Sequence, residues 1–245
     1  MQRIPIKEER ERCALSVGQF RPEKDHAMQV RALAELRKLS NTRKSSGNDT
    51  PNGLSYSSFD DVRLVILGSC RNDDDRRVLA RTRALAVELG VEERVEFVVN
   101  CSYDELKGWL GRASVGLHTM WNEHFGIGVV EMMAAGLITI AHRSGGPELD
   151  IVVPVRGGLL TGYLAETPER YAHYMAQVFD EGREGRGAGL IEAYAMPYSV
   201  RAAAKISSHR FSNEVFDREF SARFAGLLQP RTSWVFSRGR RGKEE

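Results

Sequence analysis

Short apolar runs alternate along most of this chain with longer stretches of helical spacing. "VRLVILGS", "RVEFVV", "SVGLHT" and "LITIAH" have the length of strands, and the first is nearly unbroken, as in a strand buried on both faces. "CALSVGQF" adds an earlier strand, Ala14 to Val17, ending at Gly18. The segments between these runs switch period. In "RPEKDHAMQVRALAELRKLS" the apolar positions Ala27, Val30, Leu33, Ala34 and Leu36 fall near helical spacing. In "DDDRRVLARTRALAVELG" three acids open the helix, Val78, Thr82, Leu85, Ala86 and Leu89 share a face, and Gly90 stops it. "SYDELKGWLGRA" reads as a short helix capped by Ser102, and another helix is expected from about Gly128 to Ala135. From Thr167 onward the chain reads as helical segments broken at Gly182 to Gly189 and at Pro197. This alternation predicts an α/β fold with a doubly wound parallel sheet, followed by C-terminal helices.

Polar stretches set the boundaries. Residues 1–12 read as a linker remnant, 13–228 as a single domain with a low-order Ser/Asn/Gly loop over 41–59, and 229–245 as a basic, disordered tail. Arg231, Arg238, Arg240, Arg241 and Lys243 outweigh Glu244 and Glu245 in that tail, yet the whole chain carries only +2, which selects no class of partner. Apart from Trp234 and Phe236 the tail lacks the interleaved aromatics of a nucleic-acid platform, so no nucleic-acid partner is expected. A hydrophobic content of 42% and a charged content of 28% suit a globular core. Cys13, Cys70 and Cys101 are odd in number and lack CxxC spacing, which argues against a disulfide framework or a structural zinc. No run approaches the ~20 apolar residues of a membrane span, and no signal peptide is expected at the start. The sequons at Asn48 and Asn100 read as chance matches.

Candidate chemistry gathers in loops that follow strands, where open α/β sheets bind ligands. "HTMWNEHFGIGVVE" carries Glu123 and Glu131 with seven residues between them. Positions i and i+8 drift off one helix face, so the first glutamate is expected before the helix and the second on its first turn. Gly126, Ile127 and Gly128 open that helix, where unpaired amides and the dipole suit a phosphate. Glu131 suits adjacent ribose hydroxyls, and Glu123 a group beyond the phosphates. "GQFRPEK" offers Arg21 as a fork and Lys24 as a point charge for a diphosphate. Cations are disfavoured at a helix start, which favours a functional role for both. Gly145 and Gly146 in "HRSGGPELD" stand after the next strand and read either as a donor-binding turn or as an ordinary one. Asp73 to Asp75 are accounted for by capping and dipole, and His118, His124 and His142 lack the HExxH spacing of a zinc helix. No metal ligand is therefore assigned, and no metal cofactor is expected.

"VGQFRPEKDH", the E-x7-E pair Glu123 and Glu131, and "SGGPELDIV" together resemble the C-terminal, Rossmann-like half of GT-B glycosyltransferases, the retaining family that includes sucrose and glycogen synthases. The resemblance covers about Cys13 to Leu228 and is nearest to members of the dolichol pathway. It implies a hexosyltransferase of the endoplasmic reticulum membrane, cytosolic face, that forms an α-1,2 linkage from GDP-mannose to a dolichol-linked oligosaccharide acceptor. It also implies roles. Glu123 meets the donor sugar, Glu131 the ribose, Arg21 and Lys24 the diphosphate, and Gly126 to Gly128, Gly145 and Gly146 line the donor site. Two departures stand out: Gln19 replaces an arginine common in relatives, and His124 a glycine. The resemblance further implies an N-terminal GT-B domain and membrane anchor outside this chain, so the chain alone is expected to be inactive or nearly so, with an apolar surface left by its last helices. Another nucleotide sugar, or a non-catalytic nucleotide-binding module, remain alternatives.

Overall fold

The computed structural model describes residues 10–45, 59–155, 157–181 and 197–228. Six strands form one parallel sheet: β1 (Glu11–Val17), β2 (Arg63–Gly68), β3 (Val95–Val99), β4 (Ala113–His118), β5 (Ile138–His142) and β6 (Tyr163–Ala165). Their order across the sheet is β3-β2-β1-β4-β5-β6, so the chain moves outward one way from β1 and then returns to β1's other edge. Register is continuous from Cys13↔Arg63 to Val17↔Leu67 on one side of β1, and from Ala14↔Val115 to Ser16↔Leu117 on the other. This is the doubly wound arrangement, and its switch point lies between β1 and β4.

Helices cover both faces: α1 (His26–Ser45), α2 (Asp73–Glu88), α3 (Tyr103–Arg112), α4 (Ile127–Ala134), α5 (Pro168–Glu181) and α6 (Pro197–Ser208). Alternation along β2 shows why both faces are needed. Leu64 and Ile66 join a core with Phe20, Leu33, Leu36 and Tyr171, whereas Val65 and Leu67 join a second with Leu15, Trp109, Leu110 and Met132. All of these side chains are buried, each gaining ~1.5–3 kcal/mol over exposure if fully removed from water. Asn72 caps α2 by accepting from Asp75 N–H, and Ser102 caps α3 by accepting from Glu105 N–H.

Several boundaries differ from the sequence reading. β1 begins at Glu11, inside the expected linker, because Arg63 lies 2.8 Å from Glu11 and Arg12 reaches the Phe179 carbonyl at 2.7 Å, so charged residues are satisfied within the sheet. α1 continues through "NTRKS" to Ser45, into the expected loop; the rest of that loop except Phe59, and the basic tail, lie outside the described residues. The expected break at 182–189 also lies outside them. Pro197 starts a helix rather than breaking one, as its missing N–H costs nothing at a first turn. β6 was not anticipated. The chain divides into two units at His209/Arg210, so the domain expected to reach Leu228 ends its first compact unit earlier. In the second unit α7 (Asn213–Leu228) carries Phe216, Phe220 and Phe224, exposed and stacked in series at helical spacing. Among the described residues no helix is long and apolar enough to cross a membrane.

Candidate donor site

Lys24 closes a single 3-10 turn, Pro22–Lys24, that follows β1, and Asp25 after it adopts a left-handed conformation (φ +44°). Thr119, the first residue beyond β4, anchors this turn: its hydroxyl lies 2.8 Å from the Lys24 carbonyl and accepts from Gln29 Nε2 at 2.8 Å. The loop after β1 is thus tied to the loop after β4. As a result Lys24 Nζ sits 2.9 Å from Glu123 Oε2, and it also lies 3.1 Å from Met120 Sδ. Burial pushes the Glu123 carboxyl up, but the Lys24 ammonium, with His118 after it, more than offsets this, holding it below its ordinary value and ionised at neutral pH.

The Glu123 loop is seated on the turn after β5. Asn122 N–H donates to Ser144 Oγ at 2.8 Å, and Gly146 N–H donates to the Glu123 carbonyl at 2.8 Å. A Cβ at Gly145 (φ +57°) would stand 2.3 Å from the Glu123 carbonyl oxygen, and one at Gly146 would stand 2.5 Å from those of His124 and Phe125. Only glycine permits this contact. Both glycines therefore act on Glu123 through its backbone.

Gly126, left-handed at φ +103°, starts α4. The first intrahelical bond is donated by Val129 to the Gly126 carbonyl at 2.9 Å, so the amides of Ile127 and Gly128 precede the helix's own hydrogen bonds. Glu131 falls on the second turn of α4, not the first, because the helix begins at Ile127. Its carboxylate is half-buried, makes no hydrogen bond or ion pair among the described residues, and burial pushes it above its ordinary value. A cleft of about 390 Å³ opens beyond the C-terminal ends of β1, β2 and β3, lined by Gly18, Gly68, Cys101, Ser102, Tyr103 and Leu106 among others.

Arg21 is not brought to this site. It precedes Pro22, which holds it extended (φ −123°, ψ 151°) and directs the guanidinium outward to Glu23 at 3.7 Å. There it lines a separate cleft between α1 and α2. His118, which the zinc-spacing criterion passed over, closes β4 and places Nε2 3.5 Å from Glu123 Oε2. The available signal was a polar pair, His118 and Thr119, ending an apolar strand at the ligand-binding end of the sheet. Among the described residues no group of three or more His, Cys, Asp or Glu is arranged to hold a metal ion.

The fold is a doubly wound α/β domain in which a lysine and a glutamate meet at the switch point of the sheet, and the sequence specifies its family. The chain belongs to the glycosyl transferases group 1 family, whose model matches residues 1–189. It is 45% identical over 214 residues to a mouse protein named GDP-Man:Man(3)GlcNAc(2)-PP-Dol alpha-1,2-mannosyltransferase, covering 87% of this chain and 38% of the mouse protein. The human protein of the same name is 46% identical over 206 residues, covering 84% and 37% respectively. The chain thus spans less than two fifths of these relatives' length. Its fold matches sucrose-phosphate synthase from Thermosynechococcus elongatus with a TM-score of 0.64 at 20% identity, covering 91% of this chain and 46% of that one. The GT-B, Rossmann-like fold class is the observed one.

Proposed function

We propose that this chain is the donor-binding part of a retaining α-1,2-mannosyltransferase that moves mannose from GDP-mannose to a dolichol-linked oligosaccharide at the cytosolic face of the endoplasmic reticulum membrane. One observation carries the reading: Lys24 and Glu123, far apart in sequence, meet at 2.9 Å beside the switch point between β1 and β4. The names of the relatives supply the donor, the acceptor and the linkage.

In this reading the diphosphate rests on Lys24 and on the amides of Ile127 and Gly128, which oppose its charge with an ammonium and a helix dipole. The base enters the cleft at the ends of β1 to β3, and Glu131 accepts from the ribose hydroxyls. Glu123 faces the sugar and supports positive charge developing at the anomeric carbon. The bond from that carbon to phosphate oxygen breaks, and GDP leaves with the electron pair. The acceptor hydroxyl oxygen bonds on the same face, and its proton passes to the departing phosphate. Lys24 neutralises the leaving group, so the scheme calls on no metal. Arg21 has no part in it, and Gly145 and Gly146 act by seating the Glu123 loop. The acceptor and the membrane are engaged by the portion of the enzyme that the relatives have beyond the matched region.

Calorimetric titration of the chain with GDP, UDP and GDP-mannose tests the proposal. GDP and GDP-mannose are expected to bind, UDP to bind far more weakly, and Glu131→Ala to weaken GDP by roughly tenfold, the value of a lost charged hydrogen bond. Preference for UDP would redirect the reading to another nucleotide sugar. Absence of any nucleotide binding would remove its basis.

A further inference from the structure

His118 is placed to do more than fill the end of β4. It is buried, with 8% of its surface exposed, and its Nε2 lies 3.5 Å from the same Glu123 oxygen that Lys24 approaches at 2.9 Å. Its other ring nitrogen, Nδ1, is buried and has no hydrogen-bond partner among the described residues. A neutral imidazole has one N–H and one lone pair, and a carboxylate can only accept. A buried N–H left unpaired is costly, and two lone pairs facing one another at the carboxylate are repulsive. Both penalties fall away in a single arrangement, with the proton on Nε2 and Nδ1 bare. The main chain that carries the ring is held from behind, since the carbonyl of His118 accepts from Tyr171 Oη at 2.8 Å, and that tyrosine is fully buried.

We propose that His118 is a positioning residue for the transfer reaction: as a neutral Nε2–H tautomer it orients the Glu123 carboxylate toward the donor sugar without adding a second positive charge. This rests on the transferase reading for its function, but not for its geometry. The groups facing the ring are Lys24, Glu123 and His142. Burial, with Lys24 next in weight, holds the His118 imidazole down to about 4, so it stays neutral at working pH despite the carboxylate beside it. The distinction matters for Glu123. One lysine offsets one carboxylate; an imidazolium in addition would leave the cluster net positive, where positive charge must develop at the anomeric carbon. A neutral donor supplies direction alone. A carboxylate released from it retains its lysine but loses its aim, and a misplacement of about 1 Å costs on the order of a hundredfold in rate.

Two measurements decide the matter. The first is the imidazole nitrogen spectrum of the labelled chain near neutral pH, with Glu123→Ala beside it. The expected result is a protonated Nε2 and a bare Nδ1 at His118, with the Nε2–H resonance shifted or lost to faster exchange in the variant. A proton on Nδ1, or a charged ring, would overturn the proposal, and this readout is independent of whether the protein transfers mannose. The second is turnover of the full-length enzyme carrying His118→Gln or His118→Leu. The glutamine retains an N–H near the Nε2 position. The leucine variant is expected to lose kcat on the order of a hundredfold with little change in donor KM, and the glutamine to recover most of it. Equal loss in both variants, or a leucine variant with full kcat, would refute the positioning role. Were wild-type enzyme to show no mannose transfer, the transferase reading would fail while the nitrogen spectrum still decided the geometry.

Discussion

Glu123 and His118 share one small polar cluster yet respond to pH in different windows. The His118 imidazole titrates at about 4 in the folded chain, against 6.5 when exposed, and burial is the main cause. Below 6.5 the unfolded chain takes up a proton on this ring that the folded chain refuses, so stability falls with pH until the folded value is reached. The total is about 3 kcal/mol between about pH 6.5 and about pH 4. Glu123 acts lower: its folded value is depressed, so the contribution of its lysine is complete above the ordinary carboxylate range and is lost as pH falls through the folded value. Denaturant unfolding of wild type and His118→Gln across the upper window is the check. The variant is expected to show a flatter profile by roughly the amount just given, since glutamine does not titrate.

At the scale of elements, the turn after β5 holds the loop after β4 by backbone contact, and this makes Gly145 and Gly146 more exacting than their exposure suggests. Gly145→Ala must either move the Glu123 carbonyl from 2.3 Å or abandon a φ of +57°. The expected result is a weakened response of the site with the sheet intact: GDP-mannose affinity and turnover drop by tenfold or more, while unfolding shows a loss of roughly 1–3 kcal/mol. Titration calorimetry and thermal unfolding of the variant give both numbers. Much of this level was legible in the sequence. β1 to β5 and their helices announce themselves by apolar run and helical period, whereas "SGGP", read as a turn, leads into a single π-helical turn, Pro147–Ile151. β6 did not announce itself, because three residues of "GYLAE" are too few to display a period. The end of α1 was hidden for the opposite reason: "NTRKS" is helical without any apolar stripe. The placement of Arg21 beside Glu23, away from Glu123, was not legible, because composition gives a charge but not its direction. Lys24 and Glu123 were each singled out by resemblance and loop position, but that they meet was not legible, since no local pattern joins residues so far apart.

For the whole molecule, the relevant fact is proportion. The chain covers 37–38% of its mouse and human relatives, and the switch-point site lies within the part it covers. A donor site can bind without an acceptor site, but transfer needs both. Incubated with GDP-mannose and a dolichol-linked acceptor, this chain alone is therefore expected to give turnover far below that of a full-length relative, while a titration with GDP is expected to show binding. Comparable turnover in that assay would show that the matched region suffices. The Phe216–Phe220–Phe224 stripe of the second unit belongs to the same scale: three large exposed rings in a row are more apolar surface than scattered side chains provide.

The central position of β1 has a kinetic consequence. Along the chain it precedes the other five strands of this sheet, but it completes its pairing only when β4, about a hundred residues later, docks against its second edge. The lysine arrives with the first and the glutamate with the last of these strands, so the site is assembled by one of the longest loop closures in the chain. Contacts of such separation form slowly. Until β4 docks on β1 the two charges cannot meet, so the fold withholds the Lys24–Glu123 pair until its sheet has closed.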